Sequence, residues 1–319
     1  MKAYVGVTDR DWYRRLLASG PAHDEVNFWL PSARQGFGAD WRGRPFVFKT
    51  HVDRQHPVLS NRIVGVGICS GFARSTVSEA WQLLGEANGV DSFEQLRARI
   101  EHYRKDPLGR FEDPLIGCVY LNNVIFFDED ETLPAPDDFA VSGIVRGRAY
   151  ELDSIGQGHS VVEALLRYQL LADAPNRQVP LLSEITHGGE AVTIPRIGQQ
   201  AFKAVVAETY SHHCAITGDK VRPVLEAAHI LPVAAGGVHR VDNGLLLRSD
   251  VHTLFDRGFI SVDPKHRLRV SPALRERFGN GDWFYQREGV QIDLPDRRAD
   301  RPAREFLEWH NDEVFLSAS

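Results

Sequence analysis

The strongest constraint on this chain is the order of elements spelled out by residues 214–263: strand, glycine-bearing loop, strand, short helix, with a His, an Asn and a His spaced by fourteen and nine. Val224 to Ile230 is an apolar, β-prone run that includes His229, and Leu231-Pro232 stops it, which sets the imidazole at a strand edge. Ala234 to Arg240 reads as a flexible loop, and Asp242-Asn243-Gly244 is a strong turn signal. Leu245-Leu246-Leu247 is a brief second strand. Ser249 or Asp250 is expected to cap a short helix carrying His252 and Asp256, with Gly258 ending it. His252 and Asp256 are four apart, so they share a helix face.

These residue types suit hydrolysis of a phosphodiester. Such a diester repels nucleophiles with its own charge, so the reaction needs a base to activate water and a cation to neutralise the phosphate and the leaving oxygen. His229 is the candidate base, because imidazole titrates near working pH. Asn243, in a loop, can pin backbone groups and hold that base in place. An imidazole and a carboxylate on one helix face make half of a divalent-metal site.

The segments Cys214-Ala-Ile-Thr-Gly218, Glu226-Ala-Ala-His-Ile230, Asn243-Gly-Leu-Leu-Leu247 and His252-Thr-Leu-Phe-Asp256 together resemble the HNH, or ββα-metal, nucleases. Pro195-Arg-Ile-Gly-Gln-Gln-Ala-Phe-Lys203 is similar to the lead-in helix of one branch of that family, and Leu307 to Phe315 to its C-terminal signature. The resemblance implies that His229 is the general base, Asn243 the loop positioner and His252 a metal ligand, with Mg²⁺ or Mn²⁺ as the ion. One departure stands out. Many HNH nucleases carry an Asp directly before the catalytic His, and here that place is Ala228. Asp256 or Glu226 must then assist, or water and phosphate complete the shell. Asp256 is preferred, since Glu226 is three residues before His229 and points to the other face of a regular strand. With Cys214 the sole cysteine in the region, no structural Cys₄ zinc site is expected.

The remaining composition fits two soluble domains: 1–170, a linker at 171–194, and 195–319. Three dispersed cysteines fit a reducing, bacterial cytoplasm, and neither a membrane span nor a signal peptide is expected. The net charge of −6 opposes DNA binding, but from Arg196 onward 17 basic residues balance 17 acidic ones, so the excess of acid lies upstream. Arg196, Lys203, Lys220, Arg222, Arg240 and Arg248 are the candidate phosphate contacts.

Upstream, short strands are expected at 3–7, 44–50, 62–68, 115–121, 124–127 and 143–152, with helices at 9–18, 76–87 and 92–103. Many short strands with few helices suggest a small β-barrel with inserted helices, giving an α+β chain overall. Tyr4 to Trp12, Asp24 to Trp29, Pro45 to His51 and Ile63 to Gly67 look like the PUA-like, or EVE-type, domain found ahead of HNH modules in bacterial restriction enzymes. That likeness implies a pocket for a flipped, modified base such as methylated or hydroxymethylated cytosine in duplex DNA. Trp12, Asn27, Phe28, Trp29, Trp41, His51 and Phe72 are its candidate walls. The alternatives are a catalytically silent modified-base or RNA reader, and a nuclease of unmodified DNA with a partner-binding first domain. A homodimer would serve double-strand cleavage.

Overall fold

A computed structural model describes residues 2–34, 37–139, 147–152, 158–172 and 198–317. The expected linker from 173 onward and Arg196 lie outside the described residues. The chain divides into two compact units, Met1–Ala201 and Phe202–Ser319. It is a mixed α+β chain. Among the described residues, no helix is long and apolar enough to cross a membrane.

The first unit is built on one sheet. Its strands are β1 (Lys2–Thr8), β2 (Ala22–Leu30), β3 (Pro45–Thr50), β4 (Arg62–Thr76), β5 (Leu115–Phe126), β6 (Leu133–Pro134) and β7 (Gly147–Glu151). They run in the order β2-β5-β4-β3-β1-β7, with β6 against β4. Among the described residues, only β1 and β3 pair in parallel. Among the described residues the path is open, and no closed barrel is found. Helices α1 (Arg10–Ala18), α2 (Val77–Leu84), α3 (Phe93–Arg104) and α4 (His159–Ala172) flank it.

Local sequence explains most of these starts. Asp9 caps α1 by accepting from the Trp12 N–H at 2.6 Å. Thr76 and Glu79 form a reciprocal capping box on α2, and Ser92 caps α3. Residues 115–126 form one long strand rather than two, because β4 pairs along nearly all of it and absorbs its irregularities as register shifts. Strand β2 and helix α4 were not expected, since Ala22–Leu30 opens on polar residues and α4 follows a segment without a capping signal.

Strand β3 is buried along its whole length. Phe46 and Phe48 enter an aromatic core with Trp12, Tyr13, Phe28 and Phe126, while Val47 joins a separate core that includes Ala164, Leu165 and Tyr168 of α4. The alternation of a strand thus serves two cores at once. Lys49, 2% exposed, sits with its ammonium 4.7 Å from the Phe139 ring centroid and donates to the Thr50 carbonyl.

The second unit contains α5 (Gln199–Thr209, from Phe202 on), a hairpin of β8 (Leu225–His229) and β9 (Gly244–Arg248), α6 (Ser249–Asp256), a hairpin of β10 (Ile260–Val262) and β11 (Leu268–Val270), and α7 (Pro272–Phe278), α8 (Asp282–Tyr285) and α9 (Arg304–Glu313). The cap residue of α6 is Arg248, without a side-chain cap; Asp250 instead binds the Arg248 guanidinium at 2.7 Å. Gly258 then turns the chain at φ 72°, and a Cβ there would lie 2.0 Å from the Val314 carbonyl oxygen, so only glycine fits.

Candidate functional site

The β8–β9 hairpin places His229 directly opposite Gly244. Its ring stacks on Phe202 of α5 at 3.9 Å between centroids and 10° between planes. Gly244 permits that stack: a Cβ at this position would meet Val206 at 2.7 Å and Phe202 at 3.1 Å. His229 Nε2 is 3.0 Å from Nδ1 of His239, a second imidazole that tilts against both rings. Burial, with the like charges of His239 and His252, lowers the His229 pKa to about 4. The ring is therefore neutral, and able to accept a proton, throughout the physiological range.

Asn243 is fully buried. Its Oδ1 accepts from the Leu231 N–H at 2.8 Å, while Nδ2 donates to the carbonyls of Leu231 at 2.9 Å and Val238 at 3.0 Å. Its own carbonyl accepts from the Ile230 N–H at 3.0 Å. One side chain thus ties down both ends of the loop between His229 and His239. Backbone polar groups in a loop this closed need such partners.

His252 lies between two carboxylates. Its Nδ1 is 2.6 Å from Glu226 Oε2 and its Nε2 is 3.3 Å from Asp256 Oδ2. Both carboxylates named in the sequence therefore reach this ring. Strand parity does separate Glu226 from His229, but α6 packs on the side that Glu226 faces, so the carboxylate reaches His252 more closely than Asp256 does. Partial burial and the nearby Glu226 charge hold the Asp256 carboxyl above the ordinary carboxylate range, opposed by His252.

An imidazole nitrogen and carboxylate oxygens are donors suited to a hard divalent ion. As placed, the two carboxylates approach opposite edges of one ring, and among the described residues no group of three His, Cys, Asp or Glu is arranged to hold a metal. The residues fit an ion held by few protein ligands, with water and phosphate oxygens supplying the rest, which is the usual habit of Mg²⁺.

The expected phosphate contacts differ among themselves. Lys203 and Lys220 are exposed. Arg222 lies 2.5 Å from His212 Nε2. Arg240 is bound to Asp242 at 2.6 Å and to Glu305 at 3.2 Å, and Arg248 to Asp250 at 2.7 Å and Asp219 at 3.3 Å. These two guanidiniums serve the fold first. Cys214 is buried, its sulfur 3.3 Å from the Arg248 nitrogen and 3.4 Å from that of Thr217.

In the first unit, the seven residues expected to line one base pocket do not come together as one wall. Trp12 and Phe28 are inside the aromatic core, with Phe72 and Trp41 packed against it. Asn27 and Trp29 point to the opposite face of β2, where Asn27 Nδ2 donates to Asn88 Oδ1 at 2.8 Å and Trp29 Nε1 to the Asn88 carbonyl at 3.0 Å. His51 is exposed beyond the end of β3. Neighbouring residues on a strand alternate faces, so Asn27-Phe28-Trp29 cannot all border the same cavity. His239 and Phe202 are the site residues that sequence reasoning missed. The signal for His239 was its place in a glycine loop just ahead of Asn243; Phe202 had none beyond an apolar helix.

Residues 214–263 match the family described as HNH endonuclease. A search of the curated proteins returns no match to the chain. The matched segment contains His229, Asn243, His252 and both flanking carboxylates, and it makes the protein a nuclease of the hydrolase class. DNA is the substrate such a domain implies, and HNH nucleases generally use a divalent metal.

Proposed function

We propose that the chain is a metal-dependent DNA endonuclease in which His229 activates the attacking water. The observation that carries this reading is a half-buried, neutral imidazole held on a strand edge by the Asn243 clamp and the Phe202 stack, beside an imidazole flanked by carboxylates. His229 takes a proton from water as the oxygen attacks phosphorus. Asn243 fixes the loop so that the base does not have to be ordered in the transition state. His252 and Asp256 would hold the divalent ion, with Mg²⁺ or Mn²⁺ as the candidates. Glu226 accepts from His252 Nδ1 and so orients the ligand ring, as carboxylates commonly do behind metal-bound histidines. When bound, the ion supplies neutralisation of charge on the phosphate and the leaving oxygen.

The finer reading is a restriction enzyme whose first unit, a PUA-like domain, reads a modified cytosine. It rests on the sequence likeness of the first unit, with Asn27, Trp29 and Asn88 on one sheet face as the polar cluster to examine. The experiment is digestion of matched duplexes carrying plain, methylated, hydroxymethylated or glucosylated cytosine, and of RNA, with Mg²⁺ or Mn²⁺. Cleavage of a modified duplex alone supports the restriction reading. Equal cleavage of all duplexes removes base reading but leaves the nuclease, and no cleavage of any substrate removes the nuclease itself. Sedimentation of the enzyme on an uncut duplex tests whether two protomers assemble for double-strand breaks.

A further inference from the structure

His239 lies outside every role given above, yet it makes the only side-chain hydrogen bond of His229 found among the described residues. A hydrogen bond between two imidazole nitrogens holds one proton, so one ring must donate and the other accept. If His239 Nδ1 donated, His229 Nε2 would spend its lone pair on that bond and carry its proton on Nδ1. No nitrogen of a neutral His229 would then remain to accept a proton from water. If His229 Nε2 donates, its Nδ1 lone pair is left available, and no described residue competes for it.

The surrounding chain is built to hold this pair. Asn243 Nδ2 binds the Leu231 carbonyl, two residues after His229, and the Val238 carbonyl, immediately before His239. Gly237 closes the loop so tightly that a Cβ there would lie 1.9 Å from the Leu231 carbonyl oxygen. Phe202 contacts both imidazoles. The two rings are thus fixed to each other through one side chain and one turn.

We infer that His239 is the positioning residue of the base: its Nδ1 accepts from Nε2–H of His229, fixing the tautomer in which Nδ1 of His229 takes the proton from water. This rests on the reading of His229 as base. In the step, a water O–H breaks and its proton bonds to His229 Nδ1, while the water oxygen bonds to phosphorus. The bond from phosphorus to the leaving oxygen breaks, and that oxygen takes a proton from solvent. His229 becomes imidazolium, and the bond from its Nε2–H to His239 becomes charge-assisted. His239 changes neither its proton count nor its bonds to hydrogen.

The test compares His239→Ala and His239→Asn in the full chain, with His229→Ala as reference, on a short duplex under single-turnover conditions. Asparagine offers an acceptor oxygen close to the position of Nδ1. The expected result is a fall in kcat of about tenfold or more for His239→Ala, part of the factor a general base contributes, with KM little changed and recovery in His239→Asn. Ring ¹⁵N shifts of His229 in the wild-type protein are expected to show a proton on Nε2 and none on Nδ1 near neutral pH. Wild-type turnover in His239→Ala, or a proton on Nδ1 of His229, overturns the role of His239 while leaving the nuclease. Cleavage by His229→Ala overturns the base itself. If His239→Ala fails to fold, as judged by melting, the ¹⁵N shifts of the wild-type protein decide.

Discussion

The two units use buried polar and aromatic side chains for opposite ends. In the second, the polar groups at the end of the hairpin have partners that also bear on the candidate base: buried Asn243 clamps a loop, and half-buried His229 pairs with His239. In the first, the large rings of Trp12, Phe28, Phe46 and Phe48 fill a core, and the polar cluster of Asn27 and Asn88 lies on the far side of the sheet. Residue type alone therefore says little about function. Trp12, read in the sequence as a pocket wall, fills a core, whereas His229 stands half-buried at the end of a strand.

The contrast predicts that substitutions in the second unit cost activity and those in the first cost stability. His229→Ala should reduce cleavage by about 10²–10⁴-fold, the usual contribution of general base catalysis, with melting and DNA retention nearly unchanged; the checks are a plasmid nicking rate and a gel shift. Trp12→Ala should destabilise the first unit by about 3–5 kcal/mol, read by denaturant titration, and leave the rate per folded molecule intact. A lost rate without lost stability would break the contrast.

Asn243→Ala sits between these classes. It strands the polar groups of Leu231 and Val238, at a cost of about 1–3 kcal/mol for each group left buried without a partner, and it also releases both imidazoles. Stability and kcat should fall together, as melting and single-turnover rates on one preparation would show. The smallest effect concerns pH. His229 and His310 both have pKa values lowered to about 4, chiefly by burial, whereas in the unfolded chain they titrate near the ordinary value of 6.5. Between those values the unfolded state binds more protons, so acidification from about 6.5 to 4 removes stability. His310→Gln should flatten that slope in melting curves of the second unit. An unchanged slope would show that other groups set the acid response.

Legibility followed distance along the chain. The β8–β9–α6 order, the Asn243 turn and the shared face of His252 and Asp256 were readable because they depend on spacing within one short segment. The approach of Glu226 to His252 was not readable, because strand parity says which way a side chain points but not which helix packs there. Phe202 was invisible for the same reason: its stack on His229 exists only once α5 lies over Gly244. In the first unit, the strands at β1, β3 and the start of β4 followed from alternation, while β2 was hidden by its polar opening and the open sheet path depends on pairings far apart in sequence.

The Asn243-Gly244 pair has a bearing on how the protein ages. This dipeptide is the sequence in which an asparagine amide is most readily lost, because a glycine nitrogen meets little hindrance in attacking the side-chain carbon. Here the amide is held by three hydrogen bonds, and Gly244 is extended in a paired strand, so the two atoms cannot approach. Only episodes of opening expose the pair to that reaction. The aspartate then formed could no longer donate to the Leu231 and Val238 carbonyls and would face them with negative charge. The hydrogen bonds that order the loop thus also shield the Asn243 amide from this loss.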